Sequence, residues 1–134
     1  MKHKLLILAL LATSTGALAG PQELLQDYAA QARQEKPGFK GFSAARGEQF
    51  YHAERISGGS RTSCAACHTA DPRNAGKTRA NKSIEPLAPG ANPRRFTDAA
   101  KTEKWFGGNC KDVLERACTA QEKGDFITYL QSIK

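Results

Sequence analysis

Chemistry-bearing side chains are few in this 134-residue chain, which has four cysteines and three histidines. Cys64, Cys67 and His68 share one pentapeptide, Cys64-Ala65-Ala66-Cys67-His68, with the C-x-x-C-H form of a c-type haem attachment site. The spacing has a geometric reason. Two thiols one short turn apart can add to the two vinyl groups on one edge of a porphyrin, and the next residue then brings an imidazole under the iron, making His68 the proximal ligand. A thioredoxin-like redox pair would need a surrounding βαβ pattern, and none is visible. A zinc site built from Cys64, Cys67, Cys110 and Cys118 is disfavoured because the second pair is spaced seven apart rather than two to four. The pattern therefore predicts one covalent haem c.

These residues follow an export signal. Lys2 and Lys4, the apolar run 5–12 and the small-residue pattern Ala17-Leu18-Ala19 have the composition of a cleaved secretory signal over residues 1–19. The apolar run is far shorter than the roughly 20 residues needed to cross a bilayer, so the expectation is a periplasmic protein with no membrane span. Residues 20–134 are then a single domain. Cleavage removes the only methionine, Met1, and leaves His52 and His68 as the histidines. Loss of Lys2 and Lys4 lowers the formal charge from +7 to +5. A basic domain attracts acidic partners, but without a recognition motif no nucleic-acid partner is expected.

The elements that position these residues should be helical. Valine occurs once, at Val113, while alanine, glutamate, lysine, glutamine and leucine abound, which leaves little material for strands and predicts an all-α fold. Leu24, Leu25, Tyr28, Ala29 and Ala32 have helical spacing within residues 20–36, with Pro21 suited to a first turn and Pro37-Gly38 as the stop. A second helix is predicted over 43–55, capped by Ser43, with Gly47, Phe50, Tyr51 and Glu54 on one side and Gly58-Gly59-Ser60 ending it. Residues 71–93 read as loop. A third helix starts at Thr97-Asp98 and is expected to break at Gly107-Gly108, followed by a short helix over 109–117. Thr119 with Glu122 forms a capping box for the last helix, whose apolar side is Phe126, Ile127, Tyr129, Leu130 and Ile133. So small a domain has a small core, and a porphyrin would be its main organising surface.

The sixth coordination position is the open question, because no methionine remains after cleavage. Candidates are His52, a lysine or asparagine, Cys110 or Cys118, or nothing. His52 also reads as a solvated helix residue. In an exported protein the two remaining thiols pair more readily than they coordinate. Asn109, after two glycines and before Cys110, reads from the residues alone as a helix N-cap.

The segment from Cys64 to Leu130, with Gly76-Lys77, Ile84-Glu85-Pro86, Ala88-Pro89, Asn92-Pro93, Arg95-Phe96-Thr97-Asp98, Glu103-Lys104-Trp105-Phe106, Asn109-Cys110, Arg116-Ala117-Cys118-Thr119 and Glu122-Lys123-Gly124-Asp125, resembles the SHP-type monohaem cytochromes c. Gly47-Glu48-Gln49-Phe50-Tyr51 also suits the N-terminal helix of class I cytochromes. The resemblance implies a class I cytochrome c-like helical fold wrapped around one covalent haem c, with Asn109 as the distal axial ligand of the oxidised iron. It also implies a disulfide between Cys110 and Cys118. One continuous helix across 110–118 would hold their Cα atoms about 12 Å apart, beyond the roughly 7 Å limit, so the helix must be interrupted or start late. Asn74 and Asn81 belong more naturally to the proximal wrap, and Asn92 is a minor rival ligand. Gly107-Gly108 departs from the family's pattern, in which basic character is expected there.

The resemblance further implies electron transfer, with a dihaem cytochrome c or a membrane b-type cytochrome as donor. An amide oxygen is a weak ligand that favours ferric iron, so reduction can release it and admit oxygen, nitric oxide or carbon monoxide. A gas-handling enzyme or sensor, or a plain carrier with His52 as sixth ligand, are the alternatives. Trp105 and Phe106 are expected to wall the distal side, and Lys82, Arg94 and Arg95 are candidate partners of the propionates. No paired carboxylates, activated nucleophile or phosphate-cradling loop appears, so hydrolytic and transferase chemistry have no support.

Overall fold

A computed structural model describes residues 20–134, and the expected signal over 1–19 lies outside the described residues. Helix α1 (Pro21–Glu35) places Pro21 in its first turn, where the missing N–H costs nothing, and buries Leu24, Tyr28 and Ala32. Helix α2 (Ala44–His52) is capped by the Ser43 hydroxyl, which accepts from the Arg46 amide. It ends three residues before the expected Arg55, because Arg55 already belongs to a strand.

Two small antiparallel ladders were not expected. Strands β1 (Arg55–Ser57) and β2 (Ser60–Thr62) are joined by Gly58 and Gly59, with φ of +56° and +76°. Successive positive φ values are what a tight two-residue hairpin turn requires. The glycines that stop α2 therefore also reverse the chain. Helix α3 (Cys64–His68) follows at once, and β3 (Gly76–Lys77) pairs with β4 (Ser83–Ile84) inside the region expected to be loop.

Helix α4 (Ala99–Leu114) corrects the sequence reading most. It starts at the Asp98 cap, whose carboxylate accepts from the Lys101 amide, and runs unbroken through Gly107-Gly108. Asn109 is consequently interior to a helix and caps nothing. Helix α5 (Ala120–Ser132) has the expected capping box between Thr119 and Glu122.

The core lies between α1, α2 and α5, with α4 laid against it. Gly47 lets α2 approach α5, since a Cβ there would fall 2.0 Å from the Asp125 carbonyl oxygen. Buried Asp125 returns the contact by accepting from the Ser43 amide at 2.7 Å and pairing both oxygens with Arg46 at 2.8 Å. Phe106 of α4 packs edge-on against Tyr28 of α1 and Phe126 of α5, and Glu103 accepts from the Tyr28 hydroxyl and from Lys123. No helix among the described residues is long and apolar enough to cross a membrane.

Candidate haem site

Helix α3 carries the pentapeptide on a single turn and a half. The Ser63 hydroxyl accepts from the Ala66 amide and fixes its start. Thr69, with φ of +67°, turns the chain sharply after His68. Cys64 and Cys67 are half-buried and unpaired, whereas Cys110 and Cys118 are bridged. That bridge consumes two of the four thiols a zinc site would need.

Two contacts hold this turn from behind. The fully buried Tyr51 hydroxyl donates to the Thr69 carbonyl at 2.6 Å and lies 3.0 Å from the His68 carbonyl, so α2 positions the histidine backbone directly. Gly76 of β3 lies on the other side, where a Cβ would fall 2.0 Å from the Cys67 carbonyl oxygen and 3.0 Å from the His68 Cα. Neither contact is visible as a local pattern, although Gly76-Lys77 is among the family-like dipeptides.

Burial pushes the His68 imidazole down to about 4, and the nearby Arg95 charge adds to the effect. The ring is therefore neutral at physiological pH, the form that binds a metal. Burial pushes the Cys64 thiol up to about 11, so it stays protonated and shielded. Arg95 is itself anchored, donating to the Pro86 and Glu85 carbonyls at 2.8 and 2.6 Å.

On α4, Trp105 and Asn109 are four residues apart and share one exposed stripe. Phe106 does not share it: it is buried in the core between Tyr28 and Phe126, and only Trp105 of the expected aromatic pair faces outward. Trp105 is 54% exposed and Ile56 of β1 is 66% exposed, the two large apolar side chains left uncovered among the described residues. The β1–β2 hairpin, which feeds straight into α3, is tied to the far end of α4. Ser57 donates to the Asp112 carbonyl at 2.8 Å, and the Gly58 amide donates to Glu115 at 2.9 Å. Two unpaired thiols, a neutral imidazole and uncovered apolar side chains suit a covalently tethered porphyrin.

The other candidates are engaged elsewhere. Asn92 donates to Glu85 and to the Pro86 carbonyl and accepts from the Arg94 amide, which clamps its own loop. Arg94 pairs with Glu85. His52 stands edge-on to Tyr51 and Tyr129, its Nε2 3.5 Å from the Tyr129 hydroxyl. The disulfide forms because the helix is interrupted inside 110–118, one of the two expected ways: α4 ends at Leu114, Glu115 takes a left-handed conformation, and the returning chain brings the Cα atoms of Cys110 and Cys118 to 5.6 Å.

A family described as a domain of unknown function (DUF1924) matches residues 37–130. The cytochrome c-type protein SHP of Cereibacter sphaeroides is 43% identical over 118 residues, covering 85% of this chain and 87% of that protein. The chain belongs to the SHP family of c-type cytochromes. Cytochrome c'' of Methylophilus methylotrophus is 37% identical over 111 residues, covering 81% of this chain and 77% of its own length. The crystal structure of oxidised cytochrome c'' matches with a TM-score of 0.79 at 34% identity, over 87% of this chain and 97% of that one. Oxidised SHP, an oxygen binding cytochrome c, matches at 0.76 and 39% identity, over 84% and 96%. This SHP-type cytochrome is a mostly helical protein that carries one covalently bound haem c.

Proposed function

We propose that this SHP-type cytochrome is an exported periplasmic electron carrier whose iron is held permanently by His68 and conditionally by Asn109. Cys64 and Cys67 tether the haem through thioethers. The haem supplies a one-electron couple and, when an axial position is open, a site for oxygen, nitric oxide or carbon monoxide.

The observation that carries this reading is the placement of Asn109. The competing role, a helix N-cap, belongs to Asp98 eleven residues earlier, so the Asn109 side chain is not committed to backbone. Asparagine is a poor helix-interior residue, and nothing in the packing of α4 accounts for its use there. It stands exposed on the stripe of Trp105, beside the buried Cys110 whose disulfide braces the end of the helix. A neutral carboxamide is a weaker donor than an imidazole, so this side chain binds the ferric state and withdraws on reduction. The relatives are consistent with it. One is described as an oxygen binding cytochrome c, and cytochrome c'' has a solution structure bearing on haem-ligand detachment.

Asn109→Ala tests the reading. It should convert the oxidised absorption spectrum from low-spin toward high-spin, while the reduced wild type binds carbon monoxide with a shifted Soret band. An unchanged ferric spectrum in the variant would remove Asn109 from the iron. The donor expected from the family likeness is a dihaem cytochrome c or a membrane b-type cytochrome. Fast reduction by such a donor supports transfer, and catalytic consumption of oxygen or nitric oxide would instead make the protein a gas-handling enzyme.

A further inference from the structure

The charge of this domain is concentrated in one place. Residues 20–54 carry four basic and five acidic side chains and residues 85–134 eight and seven, whereas residues 55–84 carry six basic groups and one acid, Asp71. The whole net charge of +5 therefore resides in the thirty residues that contain both hairpins and the haem attachment turn.

Within that segment the cations divide. Arg61 pairs with Glu54 and Arg73 with Asp71, and Arg55 is spent on the Ala53 carbonyl and the face of Phe50. Lys77, Arg79 and Lys82 are exposed and form no ion pair with the described residues. Lys77 lies on β3, and Arg79 and Lys82 lie in the turn between β3 and β4. The turn is built, not loose: the Thr78 amide donates to the Lys82 carbonyl at 2.8 Å, the Lys82 amide donates to the Thr78 hydroxyl at 3.1 Å, and the Asn81 amide closes on the Thr78 carbonyl. Asn81 takes φ of +58° to permit it. The hairpin is also seated on the attachment turn, through the contact of Gly76 with Cys67 and His68. Arg79 also lines a cleft of about 650 Å³ between the β1–β2 hairpin and the end of α4, whose lining is mixed in charge, with Lys111 and Arg116 beside Asp112 and Glu115.

We propose that the β3–β4 hairpin, presenting Lys77, Arg79 and Lys82, is the docking surface for the acidic face of a protein electron donor. The inference rests on the electron-transfer part of the reading above and adds the partner's chemistry and the place where it binds. A fixed turn holds its charges in one geometry before encounter, so little ordering entropy is lost on docking. Clustered charge of one sign accelerates encounter with an oppositely charged protein by 10-fold or more at low ionic strength, and salt removes the advantage. Contact of the hairpin with the Cys67–His68 backbone means that a donor bound there delivers its electron beside the attachment turn. One electron leaves the donor and reduces ferric iron to ferrous, with no proton or third reactant required.

Holoprotein carrying Lys77→Glu and Arg79→Glu tests this against a control of equal charge change, Arg33→Glu and Lys36→Glu at the end of α1. The probe is reduced plant-type ferredoxin, an acidic one-electron donor, followed by stopped flow. At low salt the hairpin variant should be reduced at least about tenfold more slowly than wild type and severalfold more slowly than the control, with the differences gone at high salt. Dithionite should reduce all three alike, and reduced forms should all bind carbon monoxide. In wild type, titration with oxidised ferredoxin should shift backbone amide signals of residues 76–84. Equal slowing of both variants, or none, would overturn the docking surface while leaving the gas-site reading intact. Failure of ferredoxin to reduce even the wild type would sink electron transfer and the docking surface together. Binding to phosphatidylglycerol vesicles that only the hairpin variant loses, with ferredoxin rates unchanged, would make the hairpin a membrane contact and overturn the proposal.

Discussion

Gly76 and Cys67 meet backbone to backbone: a Cβ on Gly76 would stand 2.0 Å from the Cys67 carbonyl oxygen, a separation no side chain can occupy. The seam joins the basic hairpin to the Cys64–His68 turn, and no flexible side chain is available to yield. Gly76→Ala should therefore destabilise the holoprotein by about 3 kcal/mol or more, at the upper end for overpacking. A thermal melt of the purified variant checks this. A melt unchanged from wild type would mean that β3 is not seated on α3.

The Cys110–Cys118 bridge closes a loop of sequence separation 8 at the point where α4 turns back toward α5. Restricting so short a loop in the unfolded chain is worth about 2.5 kcal/mol on entropic grounds. The double variant Cys110→Ser/Cys118→Ser should show a loss of that size in urea unfolding of the oxidised holoprotein. Because Asn109, the proposed sixth ligand, is the residue before the bridge, the same variant should also show a larger high-spin ferric fraction.

How far the sequence alone reached can be judged residue by residue. The helix start at Thr97-Asp98 and the caps at Ser43 and Thr119 were legible because each cap is a bond between groups a few residues apart. The extent of α4 was not. Two glycines cost a helix about 2 kcal/mol relative to alanine, which locally reads as a stop. Burial of Phe106 and Cys110 on one face, with the bridge beyond, outweighs that cost. Placing Trp105 and Phe106 together on the distal side fails for a related reason: adjacent helix residues lie about 100° apart, so with Phe106 in the core Trp105 faces outward. The hairpins were missed because strands of two or three residues are too short to show a period, and Gly58-Gly59 stops a helix and turns a hairpin with the same backbone freedom.

Gly107 offers a direct measure of the cost that α4 tolerates. It is helical, exposed, and a Cβ placed on it would meet nothing within 4 Å. At about 100° per residue it lies roughly 160° around the helix from Asn109, so a methyl group there does not touch the stripe of Trp105 and Asn109. Gly107→Ala should raise stability by about 0.8 kcal/mol, measured by urea unfolding, with no change in the ferric spectrum. If the variant were instead less stable, the helix would not run through this position in solution.

Glu103 links three helices, accepting from the Tyr28 hydroxyl of α1 and from Lys123 of α5, whose ammonium also lies over the Tyr28 ring at 5.3 Å. Burial alone would raise the Glu103 carboxyl, but the hydrogen bonds from Lys123 and Tyr28 and the Lys123 charge outweigh it and leave the group below its ordinary value. A carboxyl whose folded pKa is depressed contributes its full stability above the unfolded value of about 4.3 and loses it as pH falls through the folded pKa. Its side chain is 47% exposed, so solvent screening limits the contribution to about 1 kcal/mol. Glu103→Gln should therefore lie about 1 kcal/mol below wild type in urea unfolding at pH 7, with the gap narrowing below pH 4 as the wild-type carboxyl takes up a proton. A gap that stayed constant down to pH 3 would show that the carboxylate charge contributes nothing, and that shape alone joins α4 to α1 and α5.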